Sequence, residues 1–188
     1  MTAETFRHRI VRMRPYFGEK GGITFSGGEP LASPEALSAF MQVCDEENIH
    51  TALDTAGGRC DEVACAIAAR AKLIILDIKH PDPEKCKGLT GWDGHGAWIL
   101  LDQAQRLNQP VWIRHVVVPG WSDNLETIQL LKEKLDPYTC IENIELIPYH
   151  RLGEEKYEAA GIPYPMGDTP GLSPKVTQDL YEKVFGKA

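Results

Sequence analysis

The 188-residue chain contains no run of eighteen apolar residues, so no membrane-spanning helix is expected. No apolar segment near Met1 reads as a secretory signal. No basic block stands out against a net charge of −7, which argues against nucleic acid and against an anionic membrane surface as partners. The one basic cluster, Arg7 to Arg14, alternates with apolar residues and has the pattern of the wet face of a helix. Cysteine is sparse, irregularly spaced and odd in number: Cys44, Cys60, Cys65, Cys86 and Cys140, with no CxxC pair. That usage fits a reducing, cytoplasmic setting and no disulfide framework. Cys60 and Cys65 have no histidine close by in sequence to complete a metal site.

What is present is an alternation of helical and strand patterns over a length that suits one domain. Thr2 is placed to cap a helix carrying Phe6, Ile10, Met13 and Phe17. The strand Ile23–Phe25 follows, then Ser33-Pro34 as cap and first turn of a helix carrying Leu37, Phe40, Met41 and Cys44. Further strands are expected at about 49–53, 73–78, 111–118 and 141–147. Between them come helices begun by Asp61 (Val63, Ala66, Ile67), by the 82–90 stretch, and through Trp98, Leu101, Ala104 and Leu107. Leu125, Ile128, Leu131 and Leu135 mark the next, and Pro174 begins a last one with Val176, Leu180 and Val184. The Gly- and Pro-rich region 151–174 is expected to be irregular. The third strand is apolar at nearly every position, the pattern of a parallel strand covered on both sides. A helix followed by five βα units is an α/β fold with a parallel sheet, and an open doubly wound sheet and a partial (β/α) barrel both fit.

Each strand hands over to polar or special residues at its C-terminal end. The first runs into Ser26-Gly27-Gly28-Glu29-Pro30, where the glycines let a ligand approach the backbone and Glu29 adds a negative charge. The second ends in Asp54-Thr55, the third in Asp77 and Lys79, the fourth carries Arg114 and His115, and the fifth reaches Tyr149-His150. In parallel α/β folds these ends form the active face. Asp77 lies in an apolar stretch and needs a partner, which Lys79 could supply. A cation shared by Asp54, Thr55 and Asp77 would serve equally well. His50, His80 and His95 are assigned to the surface or to packing, as are Trp92 and Trp98.

Taken together, SGGEP, LDTAG, LDIKH, VWIRHVVVPGWSDN and ELIPYH resemble, in order and spacing, the radical S-adenosylmethionine activating enzymes of glycyl radical enzymes. The resemblance runs from Thr2 to the last helix. It implies a partial parallel (β/α) barrel whose first strand is missing from this chain. It implies S-adenosylmethionine as cofactor: Gly27, Gly28 and Glu29 at its amino end, Asp77, Ile78 and Lys79 along it, and His150 at its adenosine. It implies a monovalent cation held by Asp54, Thr55, the backbone carbonyl of Leu76 and Asp77, and it turns Arg114 toward the protein substrate. That substrate would be a glycyl radical enzyme such as pyruvate formate-lyase, and the electron would come from flavodoxin or ferredoxin. The implied reaction is reductive cleavage of S-adenosylmethionine to a 5′-deoxyadenosyl radical, which takes a hydrogen from a glycine.

One family feature has no counterpart. The four-iron, four-sulfur cluster is bound through CxxxCxxC, and no such motif occurs in this sequence. The chain is therefore expected to be an N-terminally truncated form whose cluster segment would lie upstream of Thr2, inactive as it stands. Two further readings remain: a non-catalytic module that binds S-adenosylmethionine or a partner, and a cation-dependent enzyme using Asp54, Asp77 and Lys79 as acid and base. A sheet lacking its first strand would expose the edge at Ile23–Phe25. Self-association there, or cover by the first helix, is expected.

Overall fold

The computed structural model describes residues 1–18 and 21–186. In chain order the elements are α1 (Ala3–Phe17), β1 (Gly22–Phe25), a 3₁₀ turn (Pro30–Ala32), α2 (Pro34–Glu46), β2 (His50–Thr55), α3 (Glu62–Ala68) and β3 (Leu73–Asp77). Then come α4 (Pro83–Thr90), α5 (His95–Leu107), β4 (Val111–Val117), α6 (Leu125–Leu135), β5 (Ile141–Pro148), α7 (Glu154–Ala159) and α8 (Pro174–Val184). The five strands form one open sheet in the order β1-β2-β3-β4-β5, and the registers of β1 through β4 are parallel. This is the expected α/β architecture of a partial barrel. No helix among the described residues is long and apolar enough to cross a membrane.

The chain divides into two compact units, one of Met1–Ile78, Gly94–Arg114 and Tyr138–Ile144, the other of Lys79–Asp93, His115–Pro137 and Glu145–Ala188. In the first unit the two faces of the sheet differ. Thr51, Leu53, Thr55, Ile74, Leu76, Val111 and Ile113 are buried. They alternate with Ala52, which is also buried, with Asp54, Leu73, Ile75, Asp77 and Arg114, all half-buried, and with Trp112, 41% exposed. The third strand is thus fully buried on one face and half-buried on the other, so the expected two-sided burial holds only in part. This second, less buried side is the open face of this part of the sheet.

Caps and packing follow the sequence in most places. Thr2 accepts from Thr5 N–H, Asp61 from Ala64, Asn124 from Thr127 and Ser173 from Lys175. Ser33 makes no side-chain cap bond, because the 3₁₀ turn before α2 leaves it outside the usual capping conformation. In α3 the buried face is Ala64, Ile67 and Ala68, and Val63 is exposed. Small residues there let α3 approach its neighbours, so the face could not be chosen by side-chain size. β1 lies at the edge of the sheet. Phe6 and Ile10 of α1 pack with Ile23, Phe25 and Phe40, and the Phe6 and Phe40 ring centres are 4.8 Å apart. Arg7 pairs with both Glu46 and Glu47, tying α1 to the end of α2.

Candidate functional site

The loop after β1 begins the site in the first unit. Gly27 (φ +88°) and Gly28 (φ +54°) both take the left-handed conformation that the motif requires. A Cβ built on either would meet nothing within 4 Å. The backbone there is open to an approaching group. Glu29 is extended, as the following proline demands. Its carboxylate is already engaged: Oε1 accepts from the Thr55 hydroxyl (2.7 Å) and Leu31 N–H (3.1 Å), and Oε2 accepts from Ala56 N–H (3.2 Å) and Gly58 N–H (3.1 Å). Glu29 is thus a staple between the loops after β1 and β2. That role could have been suspected only by asking what would satisfy the N–H groups of the TAGG turn.

The remaining residues of the first unit sort by strand alternation. Asp54 and Arg114 share the open face, and Arg114 Nη1 donates to Asp54 Oδ2 at 2.9 Å. Asp77 is the register partner of Arg114 on that face. Thr55 points the other way, is buried, and places its hydroxyl between Glu29 and Gly57 N–H (3.0 Å). Leu76 is fully buried and pairs with Thr55 and Ile113, while the N–H of buried Ile78 donates to Arg114 O. Of the side chains expected around a cation, only Asp54 and Asp77 share a face, and a guanidinium already stands beside Asp54. Gly57 (φ +70°) fixes the turn beneath: a Cβ on it would lie 2.5 Å from Ala97 N at the start of α5.

No three of the cysteines come together among the described residues as cluster ligands would. Cys44, Cys86 and Cys140 are buried, and burial pushes all three thiols up, Cys44 to about 11. Cluster ligands must be thiolates. Half-buried Cys65 is also raised, first by burial, and its thiol donates to Cys60 O. Among the described residues no group of three or more His, Cys, Asp or Glu side chains could hold a metal ion.

In the second unit, Lys79 and His150 line a cavity of about 680 Å³ together with Thr90, Val116, Val118, Tyr149, Tyr157, Tyr164 and Met166. Lys79 is half-buried and His150 exposed. His115, next to Arg114 in sequence, is fully buried. The motif VPGWSDN is a scaffold. Ser122 Oγ accepts from Val118 N–H, Asp123 from Gly120 N–H, and Asn124 caps α6. Trp121 lies against α4, where a Cβ on Gly88 would come within 3.0 Å of its ring.

His80 is buried and central to this scaffold. Its Nδ1 accepts from Asp82 N–H (3.0 Å), so the proton sits on Nε2, which donates to Trp121 O (3.3 Å). Burial is the main cause of its pKa lying below 6.5, with a lowering contribution from Lys85 and opposing ones from Trp121 O and Asp82. The folded chain therefore holds fewer protons at this site than the unfolded chain. The stability contributed is present above about pH 6.5 and is lost as pH falls below it toward the folded value. A melting temperature that drops between pH 7.5 and pH 5.5 is expected. His80→Asn keeps an acceptor for Asp82 N–H and should flatten that slope, and an unchanged slope in the variant would refute the assignment.

The sequence model of the Radical SAM superfamily matches residues 1–131. The pyruvate formate-lyase-activating enzyme of Clostridium pasteurianum is 38% identical over 184 residues, covering 96% of this chain and 76% of the relative. The corresponding enzyme of Staphylococcus aureus (strain USA300) is 33% identical over 191 residues, covering 98% and 76%. A solved domain of the pyruvate-formate lyase-activating enzyme from Bacteroides vulgatus ATCC 8482 superposes with a TM-score of 0.65 at 24% identity, covering 87% of this chain and 92% of that one. Streptococcus suis SuiB bound to S-adenosylmethionine superposes at 0.64 with 16% identity, covering 86% and 39%. At that level of identity, both superpositions speak for a shared fold alone.

Proposed function

Because this chain belongs to the radical S-adenosylmethionine superfamily and, within it, to the pyruvate formate-lyase-activating enzymes, we propose that it is the cofactor- and substrate-binding part of an activase for a glycyl radical enzyme. The observation that carries this reading is the Gly27–Gly28 turn. It is held open by the Glu29 staple, with clear space where a side chain would otherwise stand. Gly28 offers its backbone to the amino end of S-adenosylmethionine. The cavity lined by Lys79 and His150, within the size range of small-molecule sites, takes a nucleoside. Asp77 and Ile78, at the end of β3, lie along the cofactor. Arg114, fixed by Asp54 on the open face, presents a guanidinium edge to the carbonyls of a glycine-bearing peptide. Beside Asp54, the Arg114 guanidinium supplies the positive charge that a monovalent cation would otherwise bring.

When bound beside a reduced iron–sulfur cluster, S-adenosylmethionine supplies hydrogen-abstraction chemistry, and the protein's part is binding and orientation. The residues of this chain do not provide the cluster, so no catalytic step is assigned to it. Flavodoxin or ferredoxin would serve the assembled activase as electron donor. After anaerobic iron and sulfide reconstitution with dithionite, this chain is expected to yield no 5′-deoxyadenosine above background. Stoichiometric iron with product formation would overturn that. Calorimetric titration with S-adenosylmethionine without iron should still show binding, and its absence would remove the reading of the Gly27–Gly28 turn and the cavity. The same preparation tests the β1 edge: self-association there should appear in light scattering unless α1 covers the edge, and a monodisperse monomer with the edge free speaks against both.

A further inference from the structure

The segment after β5 has almost no core of its own. α7 buries nothing, and Leu152 and Ile162 are 77% and 56% exposed. Such a segment holds its shape only through a few specific contacts, and these converge on one residue. The Tyr164 hydroxyl is 2.6 Å from that of Tyr149, its ring meets the Tyr157 ring edge-on at 5.4 Å, and the Arg151 guanidinium stands 5.9 Å from its centre. Tyr149, by contrast, is 8% exposed and anchored. Its N–H donates to Val117 O (3.1 Å), and its carbonyl accepts from Leu172 N–H (2.8 Å). The segment from His150 to Gly171 thus leaves and returns at Tyr149, and is pinned across its middle by the two phenols.

Tyr157, Tyr164 and Met166 of this segment line the same cavity as Lys79 and His150. Flat rings, a thioether and a lysine lining one cavity suit a planar heterocycle with polar edges. We propose that Tyr164 is a positioning residue that holds the 150–171 segment as the aromatic wall of a nucleoside subsite and thereby sets where His150 stands. This rests on the functional reading above and adds to it a residue and a segment that the motif PYH does not reach. The bond between the phenols is partly buried, and burial together with the Tyr164 bond pushes the Tyr149 hydroxyl up to about 12. The Tyr149 hydroxyl therefore stays protonated over the working range and donates or accepts as a neutral phenol.

The test uses the whole chain with Tyr164→Phe, which removes only the hydroxyl, and Tyr164→Ala, which removes the ring. Trypsin cleavage after Arg151 and Lys156 reads the order of the segment, and calorimetry with 5′-deoxyadenosine reads the subsite. Cleavage about fivefold faster in Tyr164→Phe, and faster still in Tyr164→Ala, is expected from the loss of one hydrogen bond and then of the ring contacts. Affinity for 5′-deoxyadenosine should fall in the same order, and the nucleoside should slow cleavage of the wild-type chain. Equal cleavage rates in all three proteins overturn the proposal. So does wild-type binding that both variants match, and in that case the functional reading survives. A wild-type chain that binds no 5′-deoxyadenosine overturns the nucleoside assignment and the functional reading together. Should Tyr164→Ala fail to fold, Tyr164→Phe carries the comparison alone.

Discussion

Replacing Gly57 with alanine is expected to lower the melting temperature by about 10 °C or to leave the chain unfolded. Two costs combine. The residue sits at φ +70°, where a side chain is strained. Its Cβ would also lie 2.5 Å from Ala97 N and 2.6 Å from Gly96 C, both backbone atoms at the start of α5. Backbone cannot swing aside as the end of a long side chain can, so either the β2 loop or the helix must move. The reciprocal contact is as close, since a Cβ on Gly96 would meet Gly57 O at 2.1 Å. Together these costs should exceed about 4 kcal/mol, a large part of the stability of an ordinary domain. Gly91→Ala is the control: its φ is +81°, but a Cβ there meets nothing within 4 Å, so only the conformational cost of about 1 kcal/mol applies. Comparable thermal shifts in the two variants would refute the close-packing account.

The second large effect is expected at Glu29, where glutamine should be nearly as harmful as alanine. All four groups facing the carboxylate are donors: the Thr55 hydroxyl and the N–H groups of Leu31, Ala56 and Gly58. A carboxamide keeps one acceptor oxygen but must turn its NH₂ toward two donors, leaving them unsatisfied. Each variant should cost about 3 kcal/mol, seen as a lower denaturant midpoint with an unchanged slope. S-adenosylmethionine binding should weaken along with stability, because the staple sets the position of Gly27 and Gly28. If Glu29→Gln were as stable as the wild type and lost binding alone, the carboxylate would be a direct ligand and not a staple.

The β2–α5 contact and the Glu29 staple were illegible in the sequence for the same reason. LDTAG and SGGEP announce a turn and a carboxylate, but their hydrogen bonds and close backbone approaches join residues 26 to 40 positions apart. Likewise, His80 looks like any loop histidine until its two partners, one of them 41 residues away, are brought to its ring nitrogens. Helix α3 shows a milder form of the limit. Its apolar residues nearly encircle the helix, so periodicity alone could not choose Ala64 and Ala68 over Val63 as the buried side.

The sequence by itself determined the alternation of helices and strands, the parallel sheet, and the gathering of polar residues at strand ends. All of these follow from periods of 3.6 and 2 and from turn chemistry that acts over a few residues. It also determined that no CxxxCxxC motif is present and that the chain resembles a glycyl radical enzyme activase. Only the tertiary structure decided which side of each strand end matters. One residue of alternation turns Asp54 to the open face, to meet Arg114, and Thr55 to the buried one, to meet Glu29. That choice depends on which face of the sheet the helices cover, a property of packing that no single strand carries in its own residues.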